Sequence, residues 1–163
     1  MRLVLTVVFA LLVAGCATAR SPRADEAAAA GTRAAAAPDI EFLGRTNPNA
    51  ALSPAVRVGD MLYLSGQLGF DSTGRLAEGG IEAETRQTME NIGALLTRYG
   101  SSFDHVVKCT VMLADIAEWG AMNRAYVPFF PNNRPARSAL GVGGLVRNAR
   151  VEIECQAVIP PRP

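Results

Sequence analysis

Near the C-terminus, the segment Pro135-Ala136-Arg137-Ser138-Ala139-Leu140 is followed by Val151-Glu152-Ile153-Glu154. An arginine presents a planar fork of N–H donors that can grip a carboxylate through two parallel bonds. A glutamate can position a water molecule, take its proton and hand it on to a departing base. Side chains alternate along a strand, so Arg137 and Ala139 project from one side of theirs, and Glu152 and Glu154 from one side of theirs. If the two strands pair, Arg137 and Glu152 share one cleft. The same two residues could instead form a structural ion pair at a subunit interface. Other chemistries find little support. His105 is the single histidine, so a histidine-rich metal site or a histidine-based triad is not available, and no metal is expected. It reads as a loop or strand-end residue. No phosphate-cradling glycine loop and no dinucleotide fingerprint leads from a strand into a helix. Ser65-Gly66 lies in a strand pattern, without the sharp strand-to-helix turn that exposes a nucleophilic serine.

The elements that must position these residues begin near Glu41. Glu41 to Arg45 reads as a short strand, and Ala55–Val58 with Met61–Leu68 flank the turn pair Gly59-Asp60 as a hairpin. Ile81, Thr85, Met89, Ile92, Leu96 and Tyr99 recur at three- and four-residue steps, which predicts an amphipathic helix ending at Gly100. Phe103 to Leu113 is a predicted strand, with Val107, Cys109, Val111 and Leu113 on one face. A second helix is predicted over Glu118 to Phe130, stopped by Pro131, with Tyr126, Phe129 and Phe130 in helix and interface packing. Arg137–Val142 and Val151–Ile159 complete the set. The pattern predicts an α+β domain of about six strands in one sheet, with both helices on one face. Val151, Ile153, Cys155, Ala157 and Ile159 then face the helices. Glu152, Glu154, Gln156 and Val158 lie on the other side, either solvated or in a polar site.

The chain's 163 residues leave room for one ordinary domain. Its formal net charge is +1, with sixteen basic residues scattered along the sequence. Nucleic acid is therefore not an expected partner, since it calls for a clustered basic face. At the N-terminus, Arg2 precedes an apolar run, Leu3 to Val13, too short to span a bilayer but suited to a signal-peptide core. Val13-Ala14-Gly15-Cys16 resembles the lipobox of bacterial lipoproteins. That resemblance implies a signal peptide over residues 1–15, lipidation of Cys16 and a membrane anchor through the lipid. Ala17 after the lipidated position favours an outer-membrane location facing the periplasm, within the cell envelope. Residues 16–38, rich in alanine, read as a disordered tether, which leaves 39–163 for the domain. Cys109 and Cys155 sit in apolar strand patterns and read as buried thiols, although an exported chain meets conditions that permit a disulfide.

From Arg45 to Ile159 the chain resembles the Rid (YjgF-type) family of imine deaminases. Besides Pro135–Ser138 and Val151–Glu154, the resemblance is carried by Leu64-Ser65-Gly66-Gln67 and Gln87-Thr88-Met89-Glu90-Asn91-Ile92. Val107-Lys108-Cys109-Thr110-Val111 and Met122-Asn123-Arg124-Ala125-Tyr126 complete it. It implies a chorismate-mutase-like fold assembled as a homotrimer, with ligand clefts between subunits. It also implies cofactor-free hydrolysis of 2-imino acids, or their enamine tautomers, to 2-oxo acids and ammonia. In that reading Arg137 holds the substrate carboxylate and Glu152 is the acid–base group. Backbone near Ser65 and Gly66 approaches the substrate closely, and Asn123 adds a hydrogen bond. Two positions depart from the family pattern: Ala55 stands where a tyrosine is frequent, and Ala139 where a cysteine is. The alternative function is a non-catalytic trimeric binder of small carboxylates.

Overall fold

The computed structural model describes residues 37–161. The predicted signal peptide, Cys16 and most of the tether lie outside the described residues. Seven strands form one mixed, open sheet: β1 (Ile40–Leu43), β2 (Ala55–Val58), β3 (Met61–Leu64), β4 (Gln67–Leu68), β5 (Val106–Leu113), β6 (Ala136–Gly141) and β7 (Val151–Val158). Their order is β1-β2-β3-β7-β5-β6, with β4 continuing β3 alongside β7. All neighbours are antiparallel except β5 and β6. Two helices, α1 (Ile81–Arg98) and α2 (Trp119–Tyr126), cover one face.

The α1 sequence carries its own boundaries. Gly79 and Gly80 adopt positive φ just before it, Glu82 and Glu84 lie in its first turn, and Gly100 at φ 81° ends it. Its buried stripe of Ile81, Met89, Ile92 and Leu96 packs on Leu62, Val111, Val151, Ile153 and Ala157 in a single core cluster. Each such aliphatic side chain contributes about 1.5–3 kcal/mol when fully removed from water.

Three local departures from the predicted elements have physical causes. The second helix is α-helical only over Trp119–Tyr126, between 3-10 turns at Ile116–Glu118 and Val127–Phe129. Pro128 has no N–H to continue the α pattern. Phe103–His105 is likewise a 3-10 turn, with His105 Nδ1 3.0 Å from Ser102 Oγ. A bulge between Val106 and Lys108 then turns Val107 outward and puts Val106 into the core. Finally, the predicted Met61–Leu68 strand breaks at Ser65-Gly66. Tyr63 pairs with Gln156 and Gln67 with Ile153, so Leu64, Ser65 and Gly66 lie opposite only Glu154 and Cys155.

The two cysteines are a correction. Cys109 and Cys155 are directly opposed on β5 and β7 with Cα atoms 4.1 Å apart, and they form a disulfide rather than two buried thiols. A bridge across 46 residues of sequence stabilises the fold, chiefly by restricting the unfolded chain, by about 2–4 kcal/mol.

Candidate active site

The strands bearing Arg137 and Glu152 do not pair. β5 lies between them, joined to β6 in parallel and to β7 antiparallel. Directly opposed residues share a face of the sheet, and Cys109 is opposed to both Arg137 and Cys155. Arg137 therefore projects on the helix side. Glu152, three residues from Cys155, projects on the other. The strand pairing on which a shared cleft was conditional is absent, and Arg137 and Glu152 mark two separate candidate half-sites.

The first half-site lies at the sheet edge, where β6 meets α2. The Arg137 guanidinium stands 4.8 Å from the ring centre of Tyr126 and 5.7 Å from that of Trp119. Both rings come from α2, so the helix supplies an aromatic shelf for the cation. Among the described residues no carboxylate pairs with Arg137 and no acceptor takes its hydrogen bonds, which leaves the guanidinium fork available to a ligand. It borders a cavity of about 360 Å³, also lined by Asn123, Tyr126, Phe130, Arg134 and Pro135. Tyr126 is 4% exposed, and its hydroxyl has no partner among the described residues; neither does the buried Oδ1 of Asn123. Burial pushes the Tyr126 phenol up to about 12, against the opposing pull of the Arg137 charge. At neutral pH it is a neutral donor. The predicted packing role for Tyr126 thus gains a second part, because the same ring holds the arginine.

The second half-site is central. Gly66 lies so close to Glu152 that a Cβ built there would fall 2.0 Å from Oε1 of the glutamate. Only glycine leaves the carboxylate its seat. Ser65 is held by hydrogen bonds within the chain. Its hydroxyl donates to Ser53 O at 2.7 Å, its N–H to Pro54 O at 3.1 Å, and its carbonyl accepts from Gln67 Nε2 at 2.9 Å. Those three groups anchor the break between β3 and β4. Ala55 is fully buried on β2 opposite Leu64.

Two residues of α1 shape this half-site without figuring among the predicted ones. Glu84, 4% exposed, accepts the Arg150 N–H at 2.7 Å and fixes the chain where it enters β7. Asn91 donates to Leu68 O at 2.9 Å and Phe70 O at 3.0 Å, securing the exit from β4. A signal was present: Glu84, Thr88 and Asn91 follow the four- and three-residue steps of a helix face that is otherwise apolar.

Comparison with known proteins agrees with this fold. The model of the family described as Endoribonuclease L-PSP matches residues 44–159. Over 125 residues the chain is 42% identical to the 2-iminobutanoate/2-iminopropanoate deaminase of Mus musculus, spanning 74% of this chain and 93% of that protein. It is 37% identical over 123 residues to Reactive Intermediate Deaminase A, chloroplastic, of Arabidopsis thaliana, spanning 73% and 66%. Among solved structures, RidA from the Antarctic bacterium Psychrobacter superposes with a TM-score of 0.65 at 38% identity, covering 69% of this chain and 92% of that one. With the family model matched over nearly the whole described domain, the chain belongs to the Rid (YjgF-type) family, whose model carries the L-PSP endoribonuclease description.

Proposed function

We propose that this chain hydrolyses reactive 2-imino acids, or their enamine tautomers, to 2-oxo acids and ammonium without a cofactor. The observation that carries the proposal is the Arg137 guanidinium, unpaired among the described residues and set beside a small cavity. There it grips the substrate carboxylate in a fixed orientation, through charged hydrogen bonds that contribute about 1.5–3 kcal/mol. Glu152 takes a proton from water as its oxygen attacks the imine carbon. It gives that proton to nitrogen, then takes the hydroxyl proton of the carbinolamine as the C–N bond breaks and passes it to the departing ammonia, so that the protonated imine and water become 2-oxo acid and ammonium. Two relatives that bear deaminase names support the reading. The ribonuclease description of the family model gains no support from a formal net charge of +1.

The complete site lies between copies of the chain, in a homotrimer. Support comes from the placement of Arg137 and Glu152 on opposite faces of one sheet, where a single protomer cannot bring them to one substrate. A monomer in light scattering at assay concentration would defeat this part. The chain also works at the cell envelope, held by a lipid on Cys16, as the Val13–Cys16 segment implies. If Cys16→Ala left the protein in the membrane fraction, the anchor would be elsewhere.

The activity is tested by generating 2-iminopropanoate with an amino-acid oxidase and following its disappearance with the purified chain. Decay no faster than in buffer overturns the enzyme. Tight binding of 2-oxobutanoate under those conditions would then favour the non-catalytic carboxylate binder.

A further inference from the structure

The cavity beside Arg137 is lined by a second arginine, Arg134. Arg134 precedes Pro135 on the loop leading into β6, and that loop is tied down by a 3.1 Å hydrogen bond from Asn132 to Asp104. The ion pairs among the described residues engage Arg57, Arg124 and Arg150, and neither Arg134 nor Arg137. Among the described residues no acidic side chain lines the cavity. Besides the two arginines its wall is Tyr126, Val127, Phe130 and Pro135, with Asn123 as the remaining polar member. Two like charges on a mostly apolar hollow raise its positive potential and draw anions to it. One carboxylate answers only one of them. The apolar wall is suited to a short methylene chain, and the second cation to a second carboxylate.

We propose that Arg134 is a specificity-determining residue, and that the substrates are 2-imino acids carrying a second carboxylate on the side chain. The α-carboxylate lies on Arg137 and the distal one on Arg134. This rests on the reading of Arg137 as the carboxylate clamp, and it narrows the substrate class of that site. Arg134 is exposed, so its contribution is partly screened and falls as salt is raised.

The test compares 2-iminosuccinate and 2-iminopropanoate, made in situ from aspartate and alanine by suitable oxidases, as substrates of the full chain. The expected kcat/KM ratio favours the dicarboxylate by about tenfold, the value of one screened, charge-assisted contact. Arg134→Gln brings the ratio towards one, and Arg134→Lys restores part of it. A parent ratio near one, or a ratio unmoved by Arg134→Gln, overturns the inference. Titration calorimetry with oxaloacetate and 2-oxobutanoate separates this from the deaminase reading. If neither imine is hydrolysed but oxaloacetate binds about tenfold more tightly, in an Arg134-dependent way, the deaminase fails and the two-cation site stands. Equal binding, or none, removes the two-cation site.

Discussion

The two half-sites are built by opposite means. Glu152 occupies a central strand whose position is set by backbone: β4 and β5 pair on either side, the missing side chain of Gly66 leaves room for the carboxylate, and Glu84 pins the entry to β7. Arg137 stands on an edge strand with a neighbour on one side only, and its guanidinium rests on the faces of two aromatic side chains. An atom added at Gly66 must displace the Glu152 carboxylate. A side-chain shelf tolerates substitution so long as a flat ring remains. On the proposed reading, the crowded seat belongs to the group that moves protons and the aromatic shelf to the group that meets the ligand.

This contrast can be broken first at the carboxylate. Glu152→Gln keeps the shape and removes the base, so kcat should fall about 10²–10⁴-fold with KM nearly constant. An unchanged kcat would move the proton chemistry elsewhere. Next comes Gly66→Ala, whose methyl would overlap the Glu152 carboxylate. Displacement by about 1 Å is expected to cost roughly 10²-fold in kcat/KM while circular dichroism stays that of the parent. Full activity in this variant would show that the seat is not rigid. Arg137→Ala removes the clamp and should lower kcat/KM about 10- to 100-fold, from the loss of roughly 1.5–3 kcal/mol of charged hydrogen bonding. Here the change belongs mainly in KM, and a pure kcat effect would contradict a ground-state grip.

The smallest effect concerns the shelf. The Tyr126 phenol is raised by burial from 10.0 to about 12 in the folded protein. The unfolded chain releases that proton first, so this contribution to stability is complete below pH 10 and is lost as pH rises towards 12. Tyr126→Phe keeps the ring under Arg137 and should flatten this part of the alkaline decline in urea midpoints. Equal slopes for the two proteins would mean that the phenol titrates normally.

Much of the secondary structure was legible because periodicity reports burial directly. The α1 stripe and the alternation of β7 appear where the spacing puts them, and Val151, Ile153, Cys155 and Ala157 all face the core. The breaks were less legible. Pro128 was in plain view, yet whether the chain continues past it as a 3-10 turn depends on packing. The interruption at Ser65-Gly66 is read only through its pairing with β7, because a bulge is a property of two strands. The roles of Glu84 and Asn91 depend on backbone partners far away in sequence, which only the folded chain brings to them.

By itself, the sequence determined which residues could do chemistry and which side of its strand each one takes, since alternation along a strand is a local rule. It also carried the family resemblance. Which strand lies next to which was decided only by the tertiary structure. Insertion of β5 between β6 and β7 joins Cys109 to Cys155 and parts Arg137 from Glu152, sending them to opposite faces of one sheet. Pairing order depends on the burial of the whole sheet against two helices, and that sum is not written in any one segment.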